Sequence, residues 1–261
     1  MSPRWVLVFI LCLAAHPACA GAFAQRQGML LVIHEFTSTL ALQAFDRRGG
    51  VVGAPLYAKY TSDLALEYGA LDWLTFLGRL EAARAYAQGP PAAYYRGPGM
   101  SELGARVELG RALHEDVVFS AQALLRLPGV RTANPAAAGL NQREIDWRLM
   151  MGGSFDLRDA PCFWSIEAGP RKRGGLEPGE WRAEAAAGYF LFDRLQIVGQ
   201  TTSAFAAKTA LIPQSQSHKA QISLVLNPGR PWSLQLGTFR TVSGVNVRRE
   251  TGLLLAWWRR M

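Results

Sequence analysis

Charged side chains recur at alternate positions in several short segments of this chain, a spacing that could support chemistry. Glu81 stands two residues after Arg79, and Glu108 stands two residues after Arg106. Because strand side chains point alternately to two faces, such residues share one face of a β-strand. That face can hold paired charges or line a path for ions, and both alternatives stay open. The candidate lumen-lining residues are Lys59, Asp63, Glu67, Arg79, Glu81, Arg106, Glu108, Arg126, Glu144, Asp146, Arg148, Glu167, Arg182, Glu184 and Lys219.

Histidine and serine could supply nucleophilic catalysis, but their placement does not favour it. A hydrolase needs a histidine within hydrogen-bond reach of a serine. His34 lies in an apolar segment, His114 in a short turn, and His218 directly after Ser217. Sequence neighbours in a strand point to opposite faces, so we do not expect Ser217 and His218 to act together.

The first 20 residues have the composition of a secretory signal peptide. Arg4 supplies a positive start, residues 5–15 form a short apolar core, and residues 18–20 form a small-residue cleavage site. Cleavage near Ala20 would leave Cys162 as the only cysteine, so no intrachain disulfide is expected. One cysteine and three dispersed histidines offer no metal-ligand spacing, and no glycine-rich phosphate loop opens a helix. We therefore expect neither a metal nor another cofactor.

Residues 56–68 show the kind of element that would position the charged side chains. Alternate residues form an apolar face from Leu56 to Tyr68 and a mostly polar face that includes Lys59 and Asp63. Charged residues make up 18% of the chain, against about 25% in ordinary soluble proteins. After residue 20, no apolar stretch is long enough for a helix to span a bilayer. The pattern is typical of strands that cross a membrane.

Short turns alternate with longer loops rich in glycine, proline, alanine or basic residues. The turns fall near Asp72, Glu115, Arg158, Asp193 and Arg230, and each interval between them holds two strands. We predict an all-β fold, a transmembrane up-and-down antiparallel β-barrel of about twelve strands over residues 21–261, with periplasmic turns and termini. The predicted strands are residues 28–45, 56–68, 73–86, 101–110, 117–127, 142–155, 162–169, 180–190, 195–205, 218–226, 232–241 and 249–260.

Two features predict that the apolar strand face points outward to lipid. A soluble barrel with an apolar lumen would show the same alternation. However, aromatic residues cluster near the short turns, where a girdle would meet the membrane surface. Twelve strands also enclose a lumen too wide for a small apolar core to fill. The predicted girdle residues are Tyr68, Trp73, Phe155, Phe163, Trp164, Tyr189, Phe192, Trp232 and Trp257.

Acidic and basic residues are expected to meet on neighbouring strands inside the barrel, where pairing would offset the cost of confined charge. The expected neighbours are Asp63 and Glu67 with Arg79, Glu81 with Arg106, Glu108 with Arg126, and Glu144 and Asp146 with Arg148.

The long-loop side of the chain is strongly basic. The formal net charge is +8 and the isoelectric point is about 9.8. An external basic rim would meet lipopolysaccharide phosphates, so we do not expect a nucleic-acid partner. Arg84 and Arg143 fall on the outward face beside long loops, where arginine can reach lipid headgroups. The basic loop-side residues are Arg47, Arg48, Arg96, Arg131, Arg171, Lys172, Arg173, Lys208, Arg240, Arg248 and Arg249.

Several hairpins resemble those of proteobacterial outer-membrane β-barrels described as transporters or signal-peptide proteins. The similar segments are LALEYGALDWLTFLGRLEAAR, SELGARVELGRAL and WSLQLGTFRTVSGVNVRRETGLLLAWWRR. The resemblance implies an outer-membrane location, contact with outer-membrane lipid and the barrel-insertion machinery, and no catalytic residues. Such barrels usually end on an aromatic residue, whereas this chain ends at Met261.

These patterns predict a channel or transporter for small solutes. If the basic rim and the lumen arginines set selectivity, the channel should favour anions. A closed structural or assembly barrel of the cell envelope is the alternative, and an outer-membrane lipid hydrolase is a minor one.

Overall fold

The computed structural model describes residues 21–113, 116–130, 134–137, 141–158, 160–175, 177–228 and 230–261. The predicted signal peptide lies outside these residues. The described part contains one turn of 3-10 helix, Pro135–Ala137, and no helix long and apolar enough to span a bilayer. Its strands are β1 (Leu30–Phe45), β2 (Val51–Leu71), β3 (Leu74–Ala87), β4 (Ala93–Pro98), β5 (Ser101–Ala112), β6 (Val117–Leu127), β7 (Glu144–Leu157), β8 (Ala160–Arg173), β9 (Glu180–Phe192), β10 (Leu195–Ala206), β11 (Ser215–Leu226), β12 (Trp232–Val245), β13 (Val247–Arg248) and β14 (Thr251–Arg260).

The strands form one closed antiparallel barrel. The described chain has 14 strands in a single sheet, and without the short β4 and β13 twelve remain in the wall. β1 closes the barrel by pairing with both β2 and β14. Closure pairs the backbone groups of the wall with one another, as a lipid environment requires. The predicted twelve-stranded up-and-down barrel is confirmed.

The two ends of the barrel differ. Leu30 and Met261 exchange backbone hydrogen bonds of 2.9 Å, so the start of β1 and the end of β14 lie at one end of the barrel. The short turns lie there too, and we call it the turn end. The longer connections lie at the opposite end, the loop end. This arrangement places turns and loops as the sequence predicts.

The wall extends further toward the loop end than predicted. β2 begins at Val51, and three of its residues around Pro55 oppose a single residue of β1. Such a bulge accommodates a proline, which has no backbone N–H to donate. β4 lies in a predicted loop and pairs with the loop-end half of β3. β8 likewise continues through a predicted loop to Arg173.

Large apolar side chains cover the outside of the barrel. Leu149 is 69% exposed, Leu80 61% and Leu253 62%. Tyr60 and Tyr68, near the two ends of the lipid-facing part of β2, are 57% and 47% exposed. An apolar surface of this extent is not stable in water, but it suits contact with lipid.

An apolar cluster occupies one side of the lumen at the turn end. The expected width of a twelve-stranded barrel gave no indication of this cluster, because such a lumen is too wide for a small apolar core to fill. The prediction of Phe163 as a girdle residue is wrong. Its ring points inward and lies across Gly188, where a Cβ atom would be 2.0 Å from it. The cluster also explains why the turn-end parts of β1 and β14 are apolar on both faces. Its buried members are Leu31, Phe163, Val198, Val225, Leu254, Ala256 and Trp258.

Candidate functional site

The charged residues predicted to line the lumen lie on the inner face of the wall, opposite the exposed apolar side chains. Asp63, Arg106, Glu144 and Asp146 are buried there. A charge buried without a partner is costly, so burial at these positions requires ion pairs and hydrogen bonds.

Asp146 is the most enclosed carboxylate of this inner face. Its side chain is 0% exposed and lies 3.0 Å from Arg148 Nε and 2.6 Å from Arg171 Nη2. Arg148 also contacts Glu167 on the next strand. Arg171 belongs to a predicted loop, but β8 carries it onto the inner face. One carboxylate thus joins two arginines from neighbouring strands.

The same network continues toward the loop end on β5, β6 and β9. Arg126 Nε lies 2.7 Å from a Glu102 carboxylate oxygen, and the other side of its guanidinium contacts Glu144. Arg173 lies 3.5 Å from Glu144 and also contacts Glu180. The pairs therefore form a connected band along one side of the lumen, from β5 to β9.

Elsewhere the observed pairs differ in part from those predicted. Glu81 does not meet Arg106, because β5 pairs only with the turn-end half of β3 and Arg106 lies opposite Thr75. Glu108 does not meet Arg126, because Arg126 lies opposite Glu102. The observed pairs outside the band are Lys59–Glu81 at 2.9 Å, Asp63–Arg79 at 2.9 Å, Glu67–Arg106 at 3.4 Å, Glu108–Arg111 at 2.7 Å and Lys219–Glu250 at 2.5 Å.

Residues 21–27, the N-terminal segment, cross the inside of the barrel at the turn end. The carbonyl oxygen of Ala22 accepts a hydrogen bond from Ser120, and Ala22 is 0% exposed. The carbonyl oxygen of Phe23 accepts one from Arg106 Nη1 at 3.0 Å. Further hydrogen bonds join Gln25 N to Thr75 Oγ1 at 2.8 Å, Gln25 Nε2 to Glu67 at 2.9 Å, and Gln27 N to Asp72 at 2.9 Å.

Glycines in the wall let this segment lie close to the strands. A Cβ atom at Gly69 would stand 2.0 Å from the carbonyl oxygen of Arg26, and one at Gly152 would stand 3.2 Å from Ala22 Cβ. Sequence reasoning missed the segment because it has no alternation and makes long-range contacts. Inward-facing glycines beside polar strand residues were the only sequence sign of it.

A narrow crevice lies within the ion-pair band and has no room for a water molecule. It is lined by Arg148, Glu167, Arg182, Ala183, Glu184 and Thr202. The lumen is thus polar beside the band and apolar near the turn end.

Two histidines contact serines on neighbouring strands, which inspection of sequence neighbours could not reveal. His34 Nε2 lies 2.9 Å from Ser62 Oγ, and His218 Nδ1 lies 2.8 Å from Ser203 Oγ. Both pairs are on the outer face, where each hydrogen bond satisfies two polar groups near lipid. His114 lies outside the described residues. Within the described ranges, no cluster of histidine, cysteine or carboxylate side chains could hold a metal ion.

Solved outer-membrane barrels share this architecture. An outer-membrane channel from Pseudomonas putida F1 has a TM-score of 0.75 and 15% identity, over 93% of this chain and 99% of that chain. The translocator domain of the autotransporter NalP from Neisseria meningitidis has a TM-score of 0.53 and 11% identity, over 91% of this chain and 90% of that chain. No protein-family model and no curated protein matches the sequence. These likenesses show the fold, which is that of an outer-membrane β-barrel.

Proposed function

We propose that this protein is an outer-membrane channel for small solutes, with its path through the barrel lumen. One observation carries the proposal: the closed wall is apolar outside and charged inside, and the charged face continues from the loop end to the N-terminal segment. Lipid tails suit the apolar outer face, and water and ions suit the charged inner face. The similar Pseudomonas putida barrel, which is described as a channel, supports the same function.

The N-terminal segment crosses this proposed path at the turn end. Hydrogen bonds to Thr75, Glu67 and Arg106 hold it to the wall. No disulfide fixes it there, because the described residues contain a single cysteine, Cys162. Contacts of this kind break and reform far more readily than covalent links. We infer that the segment limits solute flow and moves when the channel opens.

A preference for anions rests on the basic rim at the loop end more than on the lumen arginines. Each of Arg79, Arg106, Arg126 and Arg148 has a carboxylate partner, which offsets its positive charge. We propose a weak anion preference at low ionic strength. It should fade in about 1 M salt, where the screening length falls to about 3 Å.

Planar-bilayer recordings of the purified protein test this function. We expect small, discrete conductance steps from residues 21–261, and larger steps when residues 21–27 are deleted. Reversal potentials across a salt gradient should show the weak anion preference. A clear cation preference would reject the selectivity proposal but leave the channel itself in place.

A closed structural barrel is the second candidate, because the apolar cluster and the N-terminal segment together obstruct the turn end. A structural barrel predicts no conductance from residues 21–261 or from the form without residues 21–27. Folding of both forms is verified by a difference in gel migration between unheated and heated protein. Absence of conductance from both folded forms would replace the channel proposal with the structural one.

A further inference from the structure

Two arginines face each other on the outer surface of the barrel without an acidic partner. Arg84 of β3 and Arg96 of β4 are direct partners in the strand register, and both side chains are exposed. Neither forms an ion pair with any residue that the structure describes. Like charges placed directly opposite each other destabilise a pair of strands, so this arrangement calls for an anion between them.

Tyrosines surround the arginine pair. Tyr60 lies opposite Arg84 on β2. Tyr86 and Tyr94 form the next outward-facing pair toward the loop end, with ring centroids 4.7 Å apart. Tyrosine hydroxyls can donate hydrogen bonds to phosphate or sugar oxygens. The surrounding surface therefore favours a headgroup that carries both phosphate and sugar.

The height of the pair on the barrel matches the outer edge of the membrane. Arg84 is ten residues beyond Leu74, the turn-end residue of β3. At about 3.4 Å per residue and a tilt of about 40°, that distance rises about 26 Å, close to the apolar band of about 25 Å in such barrels. The outward residues between them include Phe76 and Leu80, which suit lipid tails.

The inner side of the β3–β4 hairpin is packed, which fixes the arginines in place. Ala83, Ala85 and Ala87 are buried there against the connection that follows β6, including Ala136 and Val130. The side chain of Asn134 also donates a hydrogen bond to the Tyr94 carbonyl oxygen at 3.0 Å. A packed support lowers the entropy lost when a ligand binds.

We propose that Arg84 and Arg96 form a binding site for the phosphate of lipopolysaccharide in the outer leaflet. Two guanidinium groups on adjacent strands can both donate to one phosphate, in the fork geometry that arginine favours. The bound phosphate removes the repulsion between them. The site depends on the proposed outer-membrane location and is independent of conduction through the lumen.

Native mass spectrometry of the refolded chain in detergent tests the site, with lipid A that carries two phosphates as the probe. The variant R84Q/R96Q should bind lipid A about tenfold more weakly or worse, because it loses charge-assisted hydrogen bonds. The matched control is K172Q/R240Q, which removes two exposed, outward-facing charges near the same end. This control should bind lipid A within about twofold of the unchanged protein. Wild-type protein should bind dephosphorylated lipid A as weakly as the arginine variant binds lipid A.

Three results would overturn the proposal. Equal loss of binding in the two double variants would mean that only overall charge matters. Undiminished binding of dephosphorylated lipid A would exclude phosphate recognition. Displacement of lipid A by equimolar phosphatidylglycerol or inorganic phosphate would assign the site to another anion. Conductance in phosphatidylcholine bilayers without lipid A tests the channel separately, so failure of one proposal is distinguishable from failure of the other.

Discussion

The charged side chains on the inner face of this barrel are stabilised by their ion-pair partners. Asp146 accepts hydrogen bonds from two arginines and is shielded from solvent. Removal of its carboxylate would leave Arg148 and Arg171 short of a partner in a confined space. The cost of breaking such a buried pair exceeds the net value of forming it.

We therefore expect Asp146→Ala to lower the free energy of unfolding by about 3 kcal/mol or more. Asp156→Ala, at an exposed position on the same strand, should change it by less than about 0.5 kcal/mol. Urea unfolding of both variants in the same lipid measures the difference. Equal effects would show that the ion-pair band does not stabilise the wall.

Sequence could predict which face each charged residue occupies, but only part of its pairing. Alternation decides the face, because successive strand side chains point in opposite directions. Pairing depends on register: Arg106 lies opposite Thr75 of β3, so Glu81 pairs with Lys59 instead of Arg106. Phe163 shares the inner face with Ser165 and Glu167 by the same alternation, and its ring fits there because Gly188 on the next strand has no side chain.

β7 shows how one strand serves two environments. In the central part of β7, Leu149 points outward and is 69% exposed, while its neighbours Arg148 and Met150 point inward. Lipid contact should make the outward position intolerant of charge, since a charged side chain in mid-membrane has no partner and little water.

Leu149→Arg should therefore destabilise the barrel by about 2 to 4 kcal/mol when it folds into lipid. Leu149→Met keeps the side chain apolar and should cost less than about 1.5 kcal/mol. Unfolding midpoints in phospholipid vesicles check both values. If arginine were as well tolerated as methionine, the outer and inner faces would have to be exchanged.

The strands themselves were predictable from sequence to within a few residues, because alternation and turn residues mark them. β6 was predicted over residues 117–127 and is found at Val117–Leu127. β4 was missed, since its glycine- and proline-rich surroundings read as a loop. The N-terminal segment was missed for a different reason: its position depends on hydrogen bonds to strands far away in sequence, such as Gln25 to Thr75.

The molecule as a whole is a closed barrel whose two ends differ. The loop end is basic and opens onto a band of ion pairs, whereas the turn end is narrowed by an apolar cluster on one side and by the N-terminal segment. Movement of the segment is the simplest way to open such a lumen without disturbing the wall.

A reversible cross-link between the N-terminal segment and the wall tests this account most directly. Ala22 Cβ lies 3.2 Å from the Cβ position at Gly152, near the 3.5 to 4.5 Å that a disulfide spans. The variant A22C/G152C, with Cys162→Ser, would be recorded in planar bilayers before and after reduction. We predict rare or small conductance steps in the oxidised form, recovery of wild-type steps on reduction, and larger steps when residues 21–27 are deleted. Identical conductance in the oxidised, reduced and truncated forms would contradict the claim that this segment controls the lumen.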